Sequence, residues 1–354
     1  LIKKNNVTIG ELDIGHHARR LLLCPLNILY SIGWYYFDRS FGPRKINQPV
    51  LPVISIGNLT LGGTGKTGVV ISLARYLQEM GLKIAIVIRG WASRQEQLES
   101  PSFVSDQTSV AEVGDEAKLL KRCLPQATIV ACRNRNRAIH EIADKTDSQV
   151  VILDDGFQYR AIKKNLEVVL VDCLNPDGAG RLFPPGFLRQ PLSTISRADI
   201  ILLTHSTVAN KRMREYTFNI VGRYAPEKPY YLADYVPVAV VDHQTKSIED
   251  IKRWRGRSVI AVCGIGNPES FEQTLETAGL KIERSRRFPD HHKWRSSDLE
   301  RLPDLPIFIT QKDAERFPAE IPAKILKVEM KIEENFYSDH YLARVCERAG
   351  LHQS

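Results

Sequence analysis

The run Gly62-Gly63-Thr64-Gly65-Lys66-Thr67 has the residue types and spacing of a phosphate cradle. Glycines let the backbone turn tightly and aim consecutive N–H groups at one point, and a helix starting at the lysine adds its positive end. Lys66 then reaches the outer phosphates, and the Thr67 hydroxyl takes a Mg²⁺ position. The strict pattern asks for glycine at position 60 and meets Thr60, so the run is the G-G-x-G-K-T variant. Asp154 and Asp155 close the apolar run Val150-Val151-Ile152-Leu153, where open α/β sheets bind ligands, and paired carboxylates there suit Mg²⁺. By themselves Asp115 and Glu116 after Gly114 read as caps and dipole partners of a helix. His291 and His292 beside Asp290 read as a base with its orienter, as a metal site, or as ordinary surface or core residues. Thr310-Gln311-Lys312-Asp313 fits a loose guanine-recognition pattern, which brings in an alternative: a P-loop GTPase or metallochaperone-type nucleotide switch.

These residues need elements that hold them. The cradle is entered from the apolar stretch Pro52–Gly57 and left through Val69–Leu77, a strand followed by a helix. Further strands are expected at Lys83–Ile88, Ala127–Ala131, Val150–Leu153, Glu167–Asp172 and Asp199–Thr204, with helices opening at Gly114 and over Arg133–Lys145. Strands alternating with helices mean a mostly parallel sheet covered on both faces. The polar stretch from Trp91 to about Ala111 reads as a long functional loop. Pro226, Pro229 and Pro237 break the pattern, and alternation resumes with Ser258–Cys263, Glu269–Ala278, Pro306–Thr310 and Lys324–Met330. The expected division is an amino-terminal arm over 1–45, a P-loop domain over 46–225 and a second, smaller α/β domain over 226–354.

With 354 residues the chain can hold two ordinary domains, and 43% hydrophobic with 25% charged residues excludes both a disordered chain and a polytopic membrane protein. A net charge of +8 favours an anionic partner. Nucleic acid is the weakest choice, because no RNA-binding signature, zinc-finger spacing or basic heptad region is present. The six cysteines lack C-x-x-C spacing, which points to a reducing compartment and no cysteine metal site. No cleavable signal peptide is expected, because Glu11 and Asp13 precede the first apolar run. That run, Leu21–Phe37, mixes aromatics with Pro25, Asn27 and Gly33 between Arg19-Arg20 and Arg39, Arg44 and Lys45. It is too interrupted to span a bilayer; it suits either an anionic membrane surface or a core helix packed on the domain.

The pieces, in this order, resemble the tetraacyldisaccharide 4'-kinase family of lipid A biosynthesis. The matching runs are Ile54–Thr67, Arg89-Gly90-Trp91, Val113–Glu116, Leu153–Gln158, Arg181–Arg189, Cys263–Pro268, Phe288–His292 and Thr310–Ala314. The resemblance implies an ATP- and Mg²⁺-dependent kinase, peripheral on the cytoplasmic face of the bacterial inner membrane. Its acceptor would be the 4'-hydroxyl of a tetraacylated glucosamine disaccharide 1-phosphate. It also implies roles: Lys66 and Thr67 on phosphates and Mg²⁺, Asp154 and Asp155 on the metal, and Gln158 in the site wall. Asp115 would be the base toward the hydroxyl, and His291 the support of that base or of the transition state. This chain departs from the family pattern at Gly68, Ala117 and Tyr159, and carries neutral Gln190 where a glutamate is expected.

Overall fold

Six buried residues, Val53–Asn58, form the strand that carries the cradle, and it lies inside a sheet between two parallel neighbours. The computed structural model describes residues 25–36, 38–40, 46–90, 100–184, 186–290, 292–300 and 302–351. His291, Trp91, Leu21–Cys24, Phe37 and the cations Arg19, Arg20, Arg44 and Lys45 lie outside the described residues.

The helices are α1 (25–36), α2 (Lys66–Glu79), α3 (Val110–Val113), α4 (Asp115–Cys123), α5 (Arg135–Lys145), α6 (Lys211–Tyr224), α7 (Pro268–Thr277), α8 (Glu334–Tyr337) and α9 (His340–Arg348). The strands are β1 (Val53–Asn58), β2 (Ile84–Ile88), β3 (Ser102–Phe103), β4 (Thr128–Ala131), β5 (Val150–Asp154), β6 (Leu166–Asp172) and β7 (Ile200–Thr204). They continue with β8 (Tyr230–Asp242), β9 (Ile248–Asp250), β10 (Ser258–Cys263), β11 (Lys281–Arg287), β12 (Ile307–Thr310) and β13 (Lys324–Ile332). The sheet order is β11-β10-β12-β13-β8-β7-β6-β1-β5-β2-β4-β3, with β9 on β8. Pairing is parallel except at β3–β4, β8–β9 and β8–β13.

Alternation along the strands feeds two layers, as a period of two requires. Ile54, Ile56, Ile86 and Ile152 pack under α2 through Leu73 and Leu77, while Val53, Val87 and Val151 pack under α5 through Ile139 and Ile142. The second half has cores of its own, around Trp254, Val259, Leu275 and Phe308 on one face and Ile260, Ile309 and Phe317 on the other. Its strands nevertheless extend the first sheet. β8 is the seam: its start runs parallel to β7, from Ile201 opposite Tyr230 to Thr204 opposite Ala233, and its length runs antiparallel to β13. Pro237 sits inside β8 opposite Val328, where the register shifts, so the missing N–H falls at an irregularity. α8 and α9 then return to the first half, burying Phe336, Leu342 and Val345 in its core.

Candidate active site

The cradle stands where β1 ends and α2 begins. Gly65 caps α2 in the left-handed region (φ 88°), a conformation glycine adopts without a Cβ clash. No acidic residue occupies the first turn of α2, so its positive end is left for an anion. Lys66 Nζ lies 3.1 Å from Asn58 Oδ1, to which it donates, and 3.6 Å from Asp155 Oδ1. Thr67 and the whole run Gly62–Thr67 line a cleft of about 1620 Å³.

Parallel registry puts Asp154 of β5 beside Ile56 of β1, which brings the acidic strand end to the cradle. Asp155 holds a left-handed backbone (φ 54°), uncommon for a non-glycine residue. Both halves of that residue are fixed. Arg135 Nη2 donates to its carbonyl at 3.1 Å, and Arg189 Nη1 donates to both carboxylate oxygens at 2.9 and 2.7 Å. Burial alone would raise the Asp155 pKa, but Lys66 and Arg189 outweigh it and hold the carboxylate well below its usual range. Asp154 behaves in the opposite way. Burial, then the charges of Glu116 and Asp155, push it up to about 7 against the pull of Lys66 and Arg135. Its Oδ1 is buried with no hydrogen-bond partner among the described residues. A divalent cation fits this donor set: an orphaned carboxylate oxygen, a neighbouring carboxylate and a threonine hydroxyl. Mg²⁺ typically takes one or two carboxylates and completes its shell with phosphate and water. Gln158 stands in the cleft wall and donates from Nε2 to the Asn58 carbonyl at 2.7 Å.

The Gly-Asp-Glu run opens α4 from Gly114. Asp115 is buried; its Oδ2 accepts from Arg316 Nη1 at 2.5 Å and its Oδ1 from the Glu116 N–H at 2.9 Å. Glu116, not Asp115, is the one of the pair that lines the cleft, and its Oε1 accepts from Lys312 Nζ at 3.1 Å. Lys312 also lies 3.5 Å from Asp290, the residue before His291. His292 is fixed by stacking on Phe288, with centroids 4.5 Å apart, and by a 2.8 Å hydrogen bond from Nε2 to Asp298. Asp290 is therefore held near the Asp115–Glu116 end of α4, whereas His292 serves the loop's structure.

Thr310–Asp313 does something other than read a base. The Asp313 carboxylate accepts from the Gly264 N–H at 3.2 and 3.1 Å, the Thr310 hydroxyl at 2.7 Å and Arg316 Nη2 at 3.0 Å. Its acceptor positions are spent inside the protein, so it cannot grip guanine in this conformation. Lys312 and Arg316 instead tie the second half to α4. A further contact joins the halves at the cradle, where a Cβ on Gly266 would stand 2.9 Å from the Gly63 nitrogen.

Gln190 lines the same cleft as Asp155. Its Oε1 accepts from Arg197 Nη2 at 2.9 Å, so the neutral amide meets a cation. Sequence reasoning passed over Asn58, Arg189, Arg135, Lys312 and Arg316. Asn58, Arg189 and Lys312 lay inside the matching runs, but only the fold shows what a side chain in a run will face.

A strand, a glycine cradle with its lysine, and an acidic strand end at the floor of a deep cleft define a P-loop phosphotransferase. The sequence model described as tetraacyldisaccharide-1-P 4'-kinase matches residues 19–346, and the chain belongs to that family. It is 36% identical over 288 residues to the tetraacyldisaccharide 4'-kinase of Halothermothrix orenii, covering 75% of this chain and 74% of that one. It is 32% identical over 339 residues to the enzyme of that name from Legionella pneumophila strain Corby, covering 93% and 95%. Among solved structures, the "apo" form of LpxK from Aquifex aeolicus in complex with ATP superposes with a TM-score of 0.72 at 28% identity, over 92% of this chain and 99% of that one.

Proposed function

We propose that this chain moves the γ-phosphoryl group of ATP to the 4'-hydroxyl of a tetraacylated glucosamine disaccharide 1-phosphate. The observation that carries the reading is the cradle of Lys66 and Thr67 meeting the Asp154–Asp155 strand end inside a cleft large enough for a nucleotide and a sugar. Phosphoryl transfer runs through a loose transition state, so the protein's work is alignment and charge neutralisation. The cradle amides and Lys66 hold the transferring phosphate. Mg²⁺, held by Thr67 and the Asp154–Asp155 pair, would neutralise charge on the phosphates. Asp115, here buried behind Glu116, takes the hydroxyl proton late in the transition state once movement of the two halves brings the acceptor to it; Arg316 orients it, and His291 supports it. The nucleotide-switch alternative finds no support in Asp313, whose carboxylate is already saturated.

The division into a P-loop domain over 46–225 and a second domain over 226–354 belongs to this reading, with closure of the second half excluding water from the cleft. So does attachment to the cytoplasmic face of the inner membrane. Among the described residues no helix is long and apolar enough to cross a membrane. α1 supports surface docking, because its polar side faces the protein. Asn27, Tyr30 and Ser31 are partly buried, while Leu26, Ile28, Leu29 and Ile32 are 50, 59, 65 and 48% exposed. Phe183 and Phe187, also exposed, continue the apolar surface on the segment that α1 touches. An anionic bilayer suits both the apolar face and the chain's positive charge.

The test is incubation with ATP, Mg²⁺ and a tetraacyldisaccharide 1-phosphate, followed by mass spectrometry. One added phosphate at the 4'-position is expected. Nucleotide hydrolysis with an unmodified acceptor, or transfer that prefers GTP, overturns the proposal.

A further inference from the structure

We infer that Tyr30 and Asn27 are positioning residues through which membrane docking of α1 tightens the nucleotide site; the inference rests on the membrane reading of α1 given above. The connection is short. Asn27 Nδ2 donates to the Leu182 carbonyl at 2.6 Å, and the Tyr30 hydroxyl donates to the Arg189 carbonyl at 2.7 Å, with the Tyr30 ring edge-on to Phe183. The segment between those two carbonyls is bonded to the cradle on its other side. The Leu61 N–H donates to the Phe187 carbonyl at 2.7 Å, and the Arg189 N–H to the Leu59 carbonyl at 2.8 Å. Arg189 then reaches Asp155 with its guanidinium. One strap thus carries the arm on one edge and the cradle on the other, and ends on the metal-side carboxylate.

The same strap shares the arm's apolar face. Phe183 and Phe187 are 46 and 49% exposed beside the outward residues of α1, so a bilayer that buries one buries the other. Away from the membrane, α1 holds the strap, among the described residues, by these two hydrogen bonds and one ring contact, while Asp38 just beyond α1 pairs with Arg160 outside the strap. On the membrane both elements are fixed in one plane. The freedom lost there is freedom that nucleotide binding no longer has to remove from Leu59, Leu61 and Arg189, which is positive coupling without a change of contacts. Couplings of this kind amount to about 5- to 150-fold in affinity.

The full chain is titrated with a fluorescent ATP analogue and Mg²⁺, without acceptor, in buffer and on phosphatidylglycerol–phosphatidylethanolamine vesicles, and flotation is measured alongside. Wild type is expected to float and to bind the analogue at least about five-fold more tightly on vesicles. A Tyr30→Phe/Asn27→Leu variant keeps the ring and the apolar face; it should float equally and lose the gain, and Tyr30→Phe alone should lose part of it. Thermal melting confirms that the variants are folded. A wild type that floats with unchanged affinity, or a double variant with the full gain, overturns the coupling while leaving the membrane reading intact. A wild type that does not float overturns both.

Discussion

Asp115 has two roles that substitutions can separate, because the carboxylate proposed as base is also one end of a bridge between the halves. Asp115→Asn keeps the shape and removes the proton acceptor, and losing a general base costs about 10²- to 10⁴-fold in kcat. It also weakens the bond to Arg316, but that guanidinium keeps the Gly264 carbonyl at 2.7 Å and Asp313 at 3.0 Å, so no buried cation is stranded. The stability loss is therefore that of one charge-assisted hydrogen bond, about 1.5–3 kcal/mol. Arg316→Gln is the control. It breaks the same bridge and leaves the carboxylate, so it should melt as low as Asp115→Asn or lower while kcat falls far less. Steady-state kinetics at saturating ATP, with melting curves for both variants, make the comparison, and KM for ATP should stay near wild type in each. Equal losses of kcat in the two variants would refute the reasoning, since Asp115 would then matter only through the bridge.

Lys66→Ala should fold, because among the described residues the amine meets only Asn58 and Asp155, yet lose transfer by orders of magnitude; near-normal turnover would remove the P-loop assignment. Asp154→Asn and Asp155→Asn should each raise the Mg²⁺ concentration needed for half-maximal rate, and chelation of Mg²⁺ should abolish wild-type transfer until it is restored; unchanged Mg²⁺ dependence in both variants speaks against the metal reading. Gly68→Ala would set a Cβ 2.6 Å from the Tyr235 hydroxyl, an overpacking that costs about 1–3 kcal/mol in a melting curve and should be relieved by Tyr235→Leu. Burial, and then Lys246, lower the pKa of His243 below 6.5, so the unfolded chain binds the extra proton and the contribution to stability is lost as pH falls below 6.5. The melting temperature of wild type relative to His243→Phe should accordingly decline between pH 8 and pH 5.5; a constant difference would mean that His243 is not the group responsible.

The elements around the cradle were legible because they obey simple periods. Expected strands such as Glu167–Asp172 and Asp199–Thr204 fall within a residue of β6 and β7, since continuous apolar runs between breakers leave little choice in a parallel sheet. β8 was not legible. Pro229 and Pro237 argue against a long strand, yet Pro229 stands just before it and Pro237 sits at a register shift, and neither position needs an N–H in the ladder. The bounds of the basic edge strand β11 were not legible because most of its residues are exposed, and the helices α8 and α9 escaped because their burial depends on where a distant segment returns. Within the site, the cradle and the acidic strand end were readable as local motifs. Arg189, Lys312 and Arg316 were not, since their partners Asp155, Glu116 and Asp115 are 34, 196 and 201 residues away in the chain.

Arg189 explains how an anion can enter this site at all. Lys66 and Lys312 line the cleft, and both are engaged: Lys66 with Asn58 and Asp155, Lys312 with Glu116 and Asp290. For Lys66 to meet a phosphate it must release Asp155. A half-buried carboxylate stripped of its cations would resist that exchange. Asp155 is not stripped, because the 2.9 and 2.7 Å bonds from Arg189 stay in place, shorter than its 3.6 Å separation from Lys66. The long ion pair is the one that gives way. Arg189 thus keeps Asp155 ionised and fixed while Lys66 is free to follow the ligand, and a lysine at 189, a compact ammonium on a flexible stem in place of a planar guanidinium, would do this less well. The expected consequence for Arg189→Lys is weaker ATP binding together with a lower kcat, and a variant whose loss appeared in the acceptor KM alone would show that Arg189 serves the acceptor instead.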